Sequence, residues 1–218
     1  AMVDVIQDKA GQKGTGRWTV IEALKLGQSA NGIEAAVGAR GWSADKDLRD
    51  AASGILHAGT IRYSKPSSAD LAVGFEAARI LAHAQGFAIM QAASDEFDWS
   101  LDLARIAEIW RAGCIIRSAL LDDLADAIRS DPPKGALVLA PVMAERLGKG
   151  IPALRRVVSA AVAAGLPVPA LSAVLAWYDS LRHSRGTANL IQAQRDFFGA
   201  HGFERIDEAG VHHGSWNQ

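Results

Sequence analysis

The sequence predicts an all-α fold, a multi-helix bundle, on three observations. Apolar residues recur at helical spacing along nearly the whole chain. No alternating apolar run bounded by turn residues reads as a strand. The breaks between periodic stretches fall at Pro66, at Asp131-Pro132-Pro133 and from Pro167 to Pro169, where proline stops or starts helices. At 218 residues and 49% hydrophobic, the chain has enough apolar material for one substantial core.

Taken in order, the first 18 residues read as a loop, because Gly11, Gly14 and Gly16 fall within six residues. Thr19-Val20-Ile21-Glu22 has the T-x-x-E form of a capping box, which predicts a short helix from Thr19 to about Gly27. Further helices are expected over 31–41, 43–58, 68–94, 101–130, 141–148, 150–165, 169–183 and 187–201. The two longest carry apolar residues on several sides, which suits the inside of a bundle or an oligomer interface. The polar tail from Gly202 to Gln218 cannot build a core, so it either dangles or docks on something.

Composition excludes several function classes. The 23 basic and 24 acidic residues leave a formal charge of −1, so no overall field draws the chain to nucleic acid or to an anionic membrane surface. No apolar stretch approaches a membrane span, and the start carries no secretion signal, so a soluble, cytoplasmic chain is expected. The single cysteine, Cys114, lies in the apolar run from Ile109 to Ile116 and reads as a core residue. His183, His201, His212 and His213 lack H-x-x-x-H or H-E-x-x-H spacing, so no metal site is expected. The six tryptophans are scattered and not interleaved with basic residues, which favours packing over base stacking.

Two segments hold candidate chemistry. Lys13 and Thr15 lie in the glycine-rich loop just before a helix start, and free helix N–H groups, a lysine and a hydroxyl together suit an anion such as phosphate. A tight turn with exposed side chains is the other reading, since neither a Walker loop nor a G-x-G-x-x-G fingerprint is present. In the segment from Asn189 to His201, Arg195 and His201 are six residues apart, about 600° of helical rotation. They fall on different faces of an unbroken helix and converge only if the chain turns at Gly199. A solvated arginine and a histidine at a helix end are the plainer alternative.

The runs Asp8 to Thr19, Ala84-Gln85-Gly86-Phe87, Trp110 to Ser118, Tyr178-Asp179 and Ala188 to His201 together resemble the 6-phosphogluconate dehydrogenase family from end to end. Asn31-Gly32-Ile33-Glu34 looks like the end of that family's catalytic helix. Gly27, Ala30 and Ala35 hold its lysine, histidine and tyrosine positions, so it is rejected as a catalytic motif. The resemblance implies the C-terminal helical domain of the family, with no Rossmann domain and no general acid or base present. Residues 1–201 are then the substrate-binding and dimerisation domain, and 202–218 a tail docking on the partner subunit. It further implies oxidative decarboxylation of 6-phosphogluconate to ribulose 5-phosphate, with NADP held mainly by the missing half. In a homodimer with shared sites, Lys13, Thr15 and Arg40 contact the substrate phosphate, and Arg195 and His201 reach in from the other subunit. The alternative is a stand-alone, non-catalytic helical module for dimerisation or sugar-phosphate binding.

Overall fold

The computed structural model describes residues 1–56, 59 and 62–216. Nine α-helices are present among them, with one very short hairpin near the end. They form two compact units, Ala1–Trp177 and Tyr178–Gln218. Residues on both sides of His201 lie in the second unit.

In the first unit, α1 (Thr15–Lys25) and α2 (Asn31–Ser43) pack as a pair, and α3 (Lys46–Ile55) follows. The central pair is α4 (Ser68–Glu96) with α7 (Pro141–Ala163), flanked by α5 (Leu103–Trp110) and α6 (Leu120–Arg129). Helix α8 (Pro169–Arg182) runs to the end of the first unit and into the second. Ile80, Leu81, Leu121, Leu124, Met143, Leu147 and Leu154 form the fully buried core of this bundle.

Local chemistry explains most boundaries. Helix α4 begins with a reciprocal cap: Ser67 Oγ accepts the Asp70 amide at 3.0 Å, and the Asp70 carboxylate accepts the Ser67 amide at 3.3 Å. Asp45 and Asp102 cap α3 and α5 by accepting the amides of Leu48 and Arg105. Between α4 and α6, Arg146 of α7 donates to Glu76 at 3.0 Å and to Asp123 at 2.6 Å, tying three helices together.

Several expectations are corrected. The first helix starts at Thr15, four residues before the T-x-x-E box. Thr19 is inside it and spends its hydroxyl on the Thr15 carbonyl at 3.0 Å, so it caps nothing. The expected helix 101–130 is two helices, because the chain turns through Gly113 at φ +84° and the short connection is bridged by Arg111 and Asp122 at 3.0 Å. Cys114 consequently sits half-buried in a loop, its thiol donating to the Trp110 carbonyl at 3.2 Å. The helices expected over 141–148 and 150–165 are one, α7, with Pro152 inside it. Residues 57 and 58, the end of the helix expected over 43–58, lie outside the described residues. Finally, the tail is not featureless. Phe203–Glu204 (β1) pairs antiparallel with Val211–His212 (β2), Phe203 opposite His212.

The α4–α7 contact depends on small residues. A Cβ on Gly150 would lie 2.7 Å from the Ala77 Cβ and 3.2 Å from the Val73 carbonyl, and one on Gly74 would lie 2.9 Å from the Leu154 amide nitrogen. Gly148, two residues earlier on the same helix, meets nothing within 4 Å. Gly150→Ala should therefore destabilise the chain by about 1–3 kcal/mol through overpacking, despite alanine's better helix propensity. Gly148→Ala should stabilise it by about 0.5–1 kcal/mol. Urea unfolding of the two variants should give opposite signs; the same sign for both would mean that the two helices are not in close contact at Gly150.

Candidate functional site

In the first unit the glycine-rich loop is held from three sides. The Arg49 guanidinium bonds the Asp8 carboxylate and donates to the Asp8 carbonyl at 2.9 Å. Ser43 Oγ accepts the Ala10 amide at 3.1 Å, and Arg40 donates to the Gly11 carbonyl. Gly14, at φ +106°, makes the turn into α1, and no side chain caps that helix. The amides of its first turn are thus left facing the loop. Gly16 lets α1 approach α2, since a Cβ there would lie 2.9 Å from the Val37 Cγ2.

This arrangement brings Lys13, Thr15 and Arg40 onto one groove of about 740 Å³, with Gly11, Gln12, Val37 and Ile115 on the remaining wall. Arg40 spends one arm on the loop and keeps further N–H donors for a ligand. Ile115, fully exposed, comes from the α5–α6 connection that was expected to be helix. Helix α2, which carries Arg40, is fixed at its start by the buried Gln85 of α4, whose Oε1 accepts the Gly32 amide at 3.0 Å. A Cβ on Gly32 would lie 2.3 Å from the Val174 Cγ1, so the Asn31-Gly32-Ile33-Glu34 segment is built for close packing.

Arg195 and His201 belong to the second unit. Helix α9 (Ala188–Gly199) ends two residues before His201, with Ala200 left-handed at φ +51°. The chain does turn after Gly199. His201 lines a groove of about 660 Å³ together with Arg185, Asn189, Gln192, Phe203 and Arg205. Arg195 does not line that groove; it is exposed and donates to Gln192 at 3.3 Å.

The sequence reading missed Asp196. Its carboxylate, buried at 4% exposure, accepts four hydrogen bonds: Gly202 amide at 2.8 Å and His213 Nδ1 at 2.6 Å on Oδ1, Gly214 amide at 2.8 Å and Trp216 Nε1 at 2.7 Å on Oδ2. The Gly214 amide foremost, then the Trp216 indole, the His213 ring and the Gly202 amide, hold the carboxyl far below its ordinary value. The Trp216 ring is edge-on to Phe197, with centroids 6.3 Å apart. One signal was available: a carboxylate in the last turn of a helix faces the negative end of the dipole and needs nearby donors.

Comparison with known proteins decides the family. The model of the 6-phosphogluconate dehydrogenase C-terminal domain matches residues 1–216. The chain belongs to the 6-phosphogluconate dehydrogenase family. It is 45% identical over 219 aligned residues to the NADP(+)-dependent, decarboxylating 6-phosphogluconate dehydrogenase of Bacillus subtilis, covering 99% of this chain and 47% of that one. The decarboxylating enzyme of Escherichia coli is also 45% identical, with 99% and 47% coverage. The Plasmodium falciparum 6-phosphogluconate dehydrogenase, solved in apo form and in complexes with NADP+ and with 6-phosphogluconate, superposes with a TM-score of 0.91 at 35% identity, covering 99% of this chain and 47% of that one. The chain spans about half the length of the relatives it matches, and that half is the helical domain expected from the sequence. No described helix is long and apolar enough to cross a membrane. Among the described residues no group of His, Cys, Asp and Glu could hold a metal ion.

The Asp196 cluster sets an acid dependence. Its folded carboxyl titrates below the ordinary value of 3.8, so the unfolded chain takes up the proton first as pH falls. The stabilisation is fully present above 3.8 and is lost as pH drops below 3.8 toward the folded value. The protection factor of the Trp216 indole N–H, its exchange relative to a free indole at the same pH, should therefore be high and constant from pH 7 to 5 and fall at lower pH. In Asp196→Asn it should be low throughout; equal protection in that variant would contradict the assignment.

Proposed function

We propose that this chain is the substrate-phosphate-binding and dimerising half of a cytosolic, NADP-dependent, decarboxylating 6-phosphogluconate dehydrogenase. The single observation that carries the reading is the convergence of Lys13, Thr15 and Arg40 on one groove at an uncapped helix start. A phosphate near −2 is matched there by two cations, a hydroxyl and first-turn amides.

The reaction oxidises the C3 hydroxyl of 6-phosphogluconate and releases the carboxyl group as CO2 from the 3-keto acid, leaving ribulose 5-phosphate and NADPH. NADP, when bound, accepts the hydride. No residue of this chain is assigned to it, since the sequence contains no dinucleotide fingerprint. What these residues contribute is binding and orientation. Fixing the phosphate end locates the reacting carbons at a set distance from the chemistry, which is how remote binding energy lowers a barrier. The 218 residues alone are expected to form no NADPH.

Arg195 and His201 are read as the contribution of a second copy of the chain. In favour are their exposure on the second unit and the large exposed apolar residues of α4, Leu71, Val73 and Phe75, which suit burial against another chain.

Subunit mixing of the full-length enzyme tests the reading. Arg40→Ala and Arg195→Ala should each weaken 6-phosphogluconate binding about ten- to hundredfold, the cost of one charge-assisted phosphate contact. Heterodimers of the two variants should regain one intact site, because one site collects both defects and the other none. If verified subunit exchange gives no recovery, both residues act within one chain and the shared-site reading fails.

A further inference from the structure

The backbone around His201 is fixed by more than the helix end. Ala200 and Gly202 are both left-handed, at φ +51° and +74°. Neither neighbouring glycine has room for a side chain: a Cβ on Gly199 would lie 2.8 Å from His201 Nε2, and one on Gly202 would lie 2.4 Å from Val211 Cγ1. The imidazole therefore folds back over Gly199, against the last turn of α9. Across this corner, Asp196 Oδ1 accepts the amide of Gly202, the residue directly after His201, at 2.8 Å.

The two oxygens of Asp196 divide the work. Oδ1 serves the corner through Gly202 and also takes the His213 ring; Oδ2 serves the end of the tail through Gly214 and Trp216. The left-handed Ala200 costs energy that surrounding contacts must offset, and a buried charge-assisted acceptor beside the corner supplies such a contact. Had α9 continued, His201 would project about 600° of rotation past Arg195. The corner instead turns it into the groove beside Arg185, Asn189 and Gln192.

We propose that Asp196 is the positioning residue of His201, holding through the Gly202 amide the backbone corner from which the imidazole faces the groove. This rests on the reading above that His201 touches the substrate. A change of Oδ1 should then move His201 and weaken substrate binding, whereas a change on the Oδ2 side should loosen the tail and leave His201 in place.

The test uses the full-length enzyme with Asp196→Asn, Trp216→Phe, Gly199→Ala, His201→Ala, and each of the first and third combined with His201→Ala. Asp196→Asn should raise KM for 6-phosphogluconate at least about tenfold, as sub-ångström to ångström misplacement does, with KM for NADP unchanged. In the His201→Ala background the same substitution should add less than about twofold, because the residue it acts through is gone. Trp216→Phe should lower thermal stability and leave KM within about twofold of the parent. Gly199→Ala, which crowds the imidazole most closely, keeps the question answerable if Asp196→Asn does not fold; it too should raise KM, and not beyond His201→Ala. Equal effects of Asp196→Asn with and without His201, or a KM rise in Trp216→Phe matching that of Asp196→Asn, would overturn the proposal. Should His201→Ala itself leave KM unchanged, the substrate reading of His201 fails on its own. The positioning claim is then decided by the His201 ring NMR signals, which should shift in Asp196→Asn and stay put in Trp216→Phe; no shift in Asp196→Asn overturns it.

Discussion

Helices α4 and α7 approach so closely at Gly74 and Gly150 that neither position has room for a methyl group, and the rest of the first unit is arranged from that contact outward. Along α4 the side chains of Ile80 and Leu81 are fully buried, and farther on Ile89 packs with Ala23 of α1 and Ala30 just before α2. Four residues before Ile89, Gln85 reaches the start of α2. Helix α2 in turn carries Arg40 at its far end, and Arg40 holds Gly11 in the loop. A tightly packed core thereby sets the position of the groove of Lys13, Thr15 and Arg40 through one buried amide and one guanidinium. Packed interiors transmit position in this way because they resist compression.

Gln85 stands out in this line of support. Its Oε1 is satisfied by Gly32, while its Nε2 is buried with no hydrogen-bond partner among the described residues. A buried donor without a partner costs free energy, so the amide is held here for what its oxygen does at the start of α2. The second unit solves a similar problem differently. There a charged acceptor, Asp196, gathers four donors from a tail that has almost no apolar core of its own. Where hydrophobic burial is scarce, a saturated carboxylate supplies the order.

Much of the first unit was legible in the sequence because its signals are local. Helical periodicity and proline punctuation give the bundle, and the long helix α4 starts at Ser68, where the expected one over 68–94 does. What was not legible depends on partners distant in sequence. The T-x-x-E box at Thr19 looked like a helix start, but Gly14 supplies the left-handed turn five residues sooner and the helix overruns the box. The break at Gly113 was hidden by an apolar run that reads as helix until the Arg111–Asp122 bridge is known. Lys13 and Thr15 were found by motif, and Arg40 by resemblance; only the fold places all three on one groove. Asp196 escaped because its donors lie 6 to 20 residues away, at spacings no helix or strand period marks.

The proposal that the groove of Lys13, Thr15 and Arg40 holds the phosphate of a sugar acid stands or falls on a crystal structure of the full-length protein with 6-phosphogluconate. Phosphate oxygens are expected within hydrogen-bonding distance, about 2.7–3.2 Å, of the Lys13 ammonium, the Arg40 guanidinium and the Thr15 hydroxyl. A phosphate bound elsewhere, with this groove empty or filled only by protein, would contradict it.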